Sequence, residues 1–215
     1  MTGARSLKIV SYLLGCAALA AAAAVHAATI LVLGDSLSAG YGLAREKAWA
    51  SLLAERLRAE GFDYKVVNAS VSGETTLGGA NRIEAALRQH RPAIVILALG
   101  ANDGLRGMSL EAMRSNLAAI VDACRRARAR VLLVGMRLPP NYGNPYAEKF
   151  ARVYAELAAA RALPLVPFLL DGFAEKREYF QPDGIHPTAE AQPLILETVW
   201  KELRPLLEKK ASGKR

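Results

Sequence analysis

Two kinds of hydrophobic pattern alternate along the chain. Short, apolar-rich runs lie at 29–33, 65–69, 93–99, 131–134 and 165–168. Between them, apolar positions recur every three or four residues, as at Trp49, Leu52, Leu53 and Leu57. The short runs lack in-out alternation, so they predict strands buried on both faces. The spaced runs predict amphipathic helices over 49–60, 77–89, 110–129, 146–162 and from 188 to about 209. Gly61 stops the first of these helices and Pro92 follows the second. Strand–helix alternation implies an α/β fold, a three-layer α/β/α sandwich around a five-stranded parallel sheet with right-handed crossovers. Five strands suggest the flavodoxin-like order 2-1-3-4-5. Such a sheet places its site beyond the carboxyl ends of its strands. The loops after strands 1 to 4 are therefore where chemistry is expected. The chain shows no repeat and no linker, and one domain is expected over 28–208.

The first residues change the picture at one end. Arg5 and Lys8 precede an uncharged apolar stretch over 9–25, and Val25-His26-Ala27 offers small residues at the two positions a signal peptidase reads. This predicts a signal peptide over 1–27 and export to the periplasm or beyond the cell. Two other readings stay open. The stretch could remain as an anchor, although it is short for a span. Leu13-Leu14-Gly15-Cys16 also resembles a lipobox, which would make Cys16 an acylated first residue. Without the leader, Cys124 is the only cysteine, so no internal disulfide is expected. Its place in an apolar helical pattern predicts a buried, inert thiol.

Of the 215 residues, 52% are hydrophobic and 22% charged, which excludes a disordered chain. The formal charge is +8. Arg5 and Lys8 carry two of these charges, and Lys209, Lys210, Lys214 and Arg215 carry four more, leaving the folded body near +2. No basic face with interleaved aromatics is visible, so no nucleic-acid partner is expected. The segment 209–215 reads as a disordered basic tail that favours anionic lipid surfaces weakly. A monomer is expected.

Four loops carry candidate chemistry. After strand 1 comes Gly34-Asp35-Ser36-Leu37-Ser38-Ala39-Gly40, where a serine at a strand-to-loop junction can be held exposed in a cleft. The ending required of a phosphate loop is missing. Ser38 lies deeper and is expected to cap or pack. After strand 2, Gly73 suits a close approach of backbone N–H to a ligand. After strand 3, Asn102 offers a neutral amide donor, and neighbouring Asp103 is expected to hold the loop by hydrogen bonds. Near the C-terminus, Asp183-Gly184-Ile185-His186-Pro187 places a carboxylate three residues before a histidine. That carboxylate can curl back to Nδ1, fix the tautomer and leave Nε2 free to take a proton. The three histidines are His26 in the leader, His90 at a helix end with no acid at the matching offset, and His186. Two mature histidines and one cysteine also argue against a zinc site.

Taken together, Gly34-Asp35-Ser36-Leu37, Gly73, Gly100-Ala101-Asn102-Asp103 and Asp183-x-x-His186 resemble the four blocks of SGNH (GDSL-type) hydrolases, in the same order and across the whole mature chain. The runs Asn102-Asp103-Gly104-Leu105-Arg106-Gly107 and Arg137-Leu138-Pro139-Pro140-Asn141-Tyr142-Gly143 are similar to a bacterial periplasmic subgroup of multifunctional thioesterases, lysophospholipases and arylesterases. The resemblance implies a serine esterase working through an acyl-serine, with Ser36, Asp183 and His186 as the triad. It implies an oxyanion hole of Ser36 N–H, Gly73 N–H and the Asn102 amide, and no metal or organic cofactor. Substrates would be small molecules: esters and thioesters of medium or long acyl chains, aryl esters or lysophospholipids. Leu37, Leu105, Leu138, Pro139 and Ile185, together with Met108 and Tyr142, lie on the expected active-side loops. They either line a trough for an acyl chain or simply pack those loops. A carbohydrate acetyl-esterase on the same scaffold is the rival enzyme, and Trp49 and Trp200 are the only tryptophans available for sugar stacking. A silent binding module on such a sheet is the rival from another class.

Overall fold

The computed structural model describes residues 27–208. The expected leader up to residue 26, Cys16 within it, and the basic tail at 209–215 lie outside the described residues. Five strands form one sheet: β1 (Ala28–Gly34), β2 (Tyr64–Asn68), β3 (Ile94–Ala98), β4 (Arg130–Val134) and β5 (Leu165–Val166). Their order is β2-β1-β3-β4-β5 and every pairing is parallel. Ile30 of β1 stands beside Val66 on one side and Ile94 on the other, which sets the register of the sheet's centre.

The sheet is covered on both faces because its central strands are apolar at every position. In a strand, successive side chains point to opposite faces. Ile30, Val32, Ile94 and Ile96 therefore meet Trp49, Leu53 and Leu57 of α2 (Trp49–Ala59) and Ile195, Val199 and Leu203 of α7 (Gln192–Leu203). Leu31, Leu33, Val95 and Leu97 meet the other layer, made by α3 (Thr76–His90), α5 (Leu110–Arg126) and α6 (Asn144–Ala160). Burial of each large side chain contributes about 1.5–3 kcal/mol. Cys124 belongs to this second layer and is fully buried. Burial pushes its thiol up to about 12, so it stays protonated and inert, as its apolar setting in the sequence predicts.

The structure departs from the periodicity in several places. β2, expected to be buried on both faces, is an edge strand with Lys65 and Asn68 exposed, and α5 ends at Arg126, short of 129. β5 ends at Val166, short of the expected 165–168, because Pro167 has no N–H to continue the ladder. The last helix begins at Gln192 instead of 188 and gives way to a 3-10 turn at Arg204–Leu206, short of 209. Prolines explain both ends: Pro193 fits the first turn, where its missing N–H costs nothing, and Pro205 halts the α-helical ladder. Two single-turn helices, α1 (Ser36–Ala39) and α4 (Ala101–Leu105), were not expected at all. Each is too short to show a hydrophobic period, and each follows directly on a strand that leads to the site.

Candidate active site

Ser36 is the first residue of α1, directly beyond the carboxyl end of β1. Asp35 caps this turn, its Oδ1 accepting from Leu37 N–H at 3.0 Å, and Gly40 closes the turn in the left-handed region at φ 75°. The strand-to-helix step is tight. A Cβ on Gly34 would lie 2.7 Å from Ser38 Oγ, so only glycine lets β1 run into α1 here. The result presents the Ser36 hydroxyl half-buried at the rim of the sheet. Ser38 packs inside and is fully buried. Asp35 is 2% exposed, and burial pushes its carboxyl up to about 6, against the opposing pull of Leu37 N–H and His186. This value lies above the ordinary 3.8, so the ionised form is disfavoured by folding. The associated stability is present below 3.8 and is lost as pH rises through about 6.

The loops after β2 and β3 are tied to this position and to each other. Val71 N–H donates to the Gly34 carbonyl at 3.0 Å, which brings the loop after β2 alongside Ser36. Gly73 sits at φ 79°, a conformation that L side chains rarely adopt. Asn102, in α4, donates one amide hydrogen to the Glu74 carbonyl at 2.9 Å. The amide has two hydrogens, so one remains for another acceptor. Asp103 is 1% exposed and accepts from Thr76 N–H at 2.9 Å and from Thr76 Oγ1 at 2.5 Å. Asn116 donates to the same Thr76 hydroxyl. Asp103 thus holds the loops as the sequence predicts, fixing α4 against the start of α3. Arg106 adds a bond to the Gly73 carbonyl at 3.0 Å.

Asp183 and His186 form a compact turn. One carboxylate oxygen of Asp183 accepts from Ile185 N–H at 2.9 Å and His186 N–H at 3.0 Å. The other lies 2.8 Å from His186 Nδ1. The backbone N–H groups of His186 and Ile185, followed by the imidazole, hold the Asp183 carboxyl down at about 2. It is therefore ionised across the neutral range and favours a proton on Nδ1. His186 Nε2 then faces Ser36 Oγ at 2.9 Å, across 150 positions of chain. The ring of Tyr41 packs on the imidazole with centroids 4.4 Å apart. A carboxylate, an imidazole with a defined tautomer and a hydroxyl stand in one hydrogen-bonded line. Such a line can remove a proton from the hydroxyl as it attacks a carbonyl.

Known proteins resemble this chain over most of its length. Residues 32–193 match the GDSL-like Lipase/Acylhydrolase family. The chain belongs to that family. Over 194 residues the hydrolase is 50% identical to Esterase TesA of Pseudomonas aeruginosa, covering 90% of this chain and 96% of the relative. It is 42% identical over 184 residues to Thioesterase 1/protease 1/lysophospholipase L1 of Escherichia coli K12, covering 86% of this chain and 87% of the relative. The crystal structure of the psychrotrophic esterase EstA from Pseudoalteromonas superposes with a TM-score of 0.79 at 39% identity, covering 83% of this chain and 97% of that one. The hydrolase is a serine esterase of the SGNH type, as the four sequence blocks imply.

Of the two readings open for the apolar loop residues, Leu37 takes the packing one. Leu37 is only 7% exposed and packs into the core on the α2–α7 side. One residue along a helix turns a side chain by about 100°, so the residue after Ser36 points inward where Ser36 points out. Ile185 is 51% exposed beside His186. Leu105 and Leu138 are half-buried and Pro139 is exposed. Tyr142 Oη donates to the Leu105 carbonyl and Tyr146 Oη to the Met108 carbonyl, each at 3.1 Å, which brings the 105–108 segment against the loop after β4. Nothing local in the sequence signals that the Tyr41 ring will cover an imidazole from the far end of the chain.

Proposed function

We propose that the hydrolase transfers acyl groups to water through a covalent acyl-serine. His186 takes the Ser36 proton as Oγ attacks the ester carbonyl, then returns it to the departing alcohol or thiol. In the second half, water attacks the acyl-serine and gives a proton to His186, which passes it to Ser36 Oγ as the acyl–Oγ bond breaks and the acid departs. Asp183 orients the imidazole and stabilises its charged form. The oxyanion is received by Ser36 N–H, Gly73 N–H and the second hydrogen of the Asn102 amide, all fixed before reaction. The observation that carries this reading is the unbroken line from Asp183 Oδ2 through His186 to Ser36 Oγ, with gaps of 2.8 and 2.9 Å. The monoethylphosphonate inhibition named for the EstA structure supports the same chemistry in a relative.

The substrate class we propose is medium or long acyl esters, aryl esters, thioesters and lysophospholipids. Tyr41, Val71 and Ile185 are exposed: the Tyr41 ring lies on the His186 imidazole, Val71 is bonded to Gly34 beside Ser36, and Ile185 precedes His186, while Leu77 and Met108 are exposed on the segments after β2 and β3. Each methylene buried against such groups contributes about 0.8 kcal/mol. On p-nitrophenyl esters, kcat/KM is expected to rise with acyl length; a strict preference for acetate would remove the acyl trough. Export across the inner membrane, guided by the leader, is part of the same proposal. Sequencing the N-terminus of protein recovered from the periplasm tests it.

Asn102→Ala is expected to keep the fold and lower kcat by roughly 10²–10³, about 3–4 kcal/mol. Part of that loss comes from freeing the Glu74 carbonyl. Asn102→Asp is the stricter variant, because a carboxylate repels the oxyanion. Turnover near wild type in both variants removes Asn102 from the mechanism.

A further inference from the structure

We infer that Gln181 is a positioning residue that sets the approach of His186 to Ser36. The inference rests on the nucleophile and base roles proposed above. The two halves of the triad are held in different ways. Asp183 and His186 are three residues apart and share a turn stabilised by its own backbone bonds. Ser36 and His186 belong to loops from opposite ends of the chain, so their distance depends on what joins those loops. Among the described residues, two hydrogen bonds join the segment 36–42 to the turn 181–187. One is the Ser36–His186 bond itself. The other runs from Gln181 Nε2 to the Tyr41 carbonyl at 2.8 Å.

Gln181 is built for this task. Its second amide hydrogen goes to the Pro187 carbonyl at 3.1 Å, so the side chain spans the turn that carries His186 while gripping the nucleophile loop. Its backbone N–H donates to the His186 carbonyl at 2.8 Å. Gly42, at φ 74°, leaves room for the amide; a Cβ there would lie 2.4 Å from Gln181 Oε1. Arg177 then stiffens the arm on which Gln181 sits. Its guanidinium donates to the carbonyls of Phe180 at 2.9 Å, Gln181 at 2.7 Å and Pro182 at 2.9 Å. The bridge between Phe180 and Pro187 closes the base of the same hairpin. The tie also holds Tyr41 so that its ring lies on the imidazole. Reacting groups must be held within fractions of an ångström, and a displacement of about 1 Å can cost on the order of 10²-fold. A clamp that touches neither substrate nor reacting atoms can therefore control turnover.

The test uses the full chain with Gln181→Glu and Gln181→Ala. Glutamate keeps the shape but has no amide hydrogens and sets a carboxylate against two carbonyls; alanine removes the tie. Both variants are expected to lose about 10–100-fold in kcat on a p-nitrophenyl ester and in fluorophosphonate labelling rate. KM and Tm should stay close to wild type. The low-field proton signal of His186 Nδ1–H should persist, since the Asp183 bond is internal to its turn. Wild-type kcat in both variants overturns the clamp, as does loss of that signal together with activity, which would mark general loosening. Wild-type protein that resists labelling at Ser36 overturns the nucleophile reading and the clamp with it. Normal wild-type labelling with unimpaired Gln181 variants overturns the clamp alone.

Discussion

Ser36→Ala will lower kcat on p-nitrophenyl esters by roughly 10⁴–10⁶-fold and abolish fluorophosphonate labelling. Covalent catalysis loses its nucleophile with Oγ, and Ser38, the next serine along α1, is fully buried. The oxyanion donors remain, so a residual acceleration of about 10³–10⁴ over water is expected. The fold should be unaffected. Neither the Asp35 cap on Leu37 N–H nor the Gly40 closure of α1 involves the Ser36 side chain. An unchanged Tm with activity lost is therefore the expected pair of readings. Retained turnover in this variant would mean that the nucleophile is elsewhere.

Asp183→Asn should cost roughly 10³–10⁴-fold in kcat with KM nearly unchanged. The asparagine carbonyl can still accept from Ile185 and His186 N–H, so the turn survives. Its amide would then face Nδ1 as a donor where a carboxylate stood. The imidazole would shift its proton to Nε2, leaving no lone pair for the Ser36 hydroxyl. Stability gives a second reading. Folding lowers the carboxyl from 3.8 to about 2, so it favours the folded state above its unfolded value, and this contribution fades as pH falls toward 2. Because Asp183 is partly exposed, solvent screens the effect. Wild type and Asp183→Asn should therefore differ in Tm slightly at pH 7 and converge near pH 2. A kcat loss of less than tenfold would show that the tautomer is fixed by something other than this carboxylate.

Much of the site was legible because its parts are local in sequence. The Asp183-x-x-His186 turn needs only its own backbone, and its spacing gains meaning from coinciding with the other three blocks. The serine after β1 and the asparagine after β3 sit at strand ends, which the apolar runs mark clearly. Other parts were illegible for the opposite reason. Between lining the site and packing, Leu37 could not be assigned from sequence; it packs in the core because a four-residue helix with no readable period turns it inward. Gln181 and Arg177 act on backbone carbonyls, and a carbonyl acceptor carries no residue identity to notice. The apolar pattern runs past both ends of the last helix, whose limits are set instead by Pro193 in its first turn and Pro205 beyond its last.

By itself, the order of residues determined the layers, the strand order and which loops would meet above the sheet. Burial of apolar side chains is a pattern property, and it leaves few ways to close a five-stranded parallel sheet. The tertiary structure alone decided the 2.9 Å approach of His186 to Ser36, the seat of Tyr41 on the imidazole and the stapling of Asn102 to Glu74. These contacts join residues that are neighbours only once the sheet has formed, and their energies depend on angles and tenths of an ångström to which hydrophobic periodicity is blind.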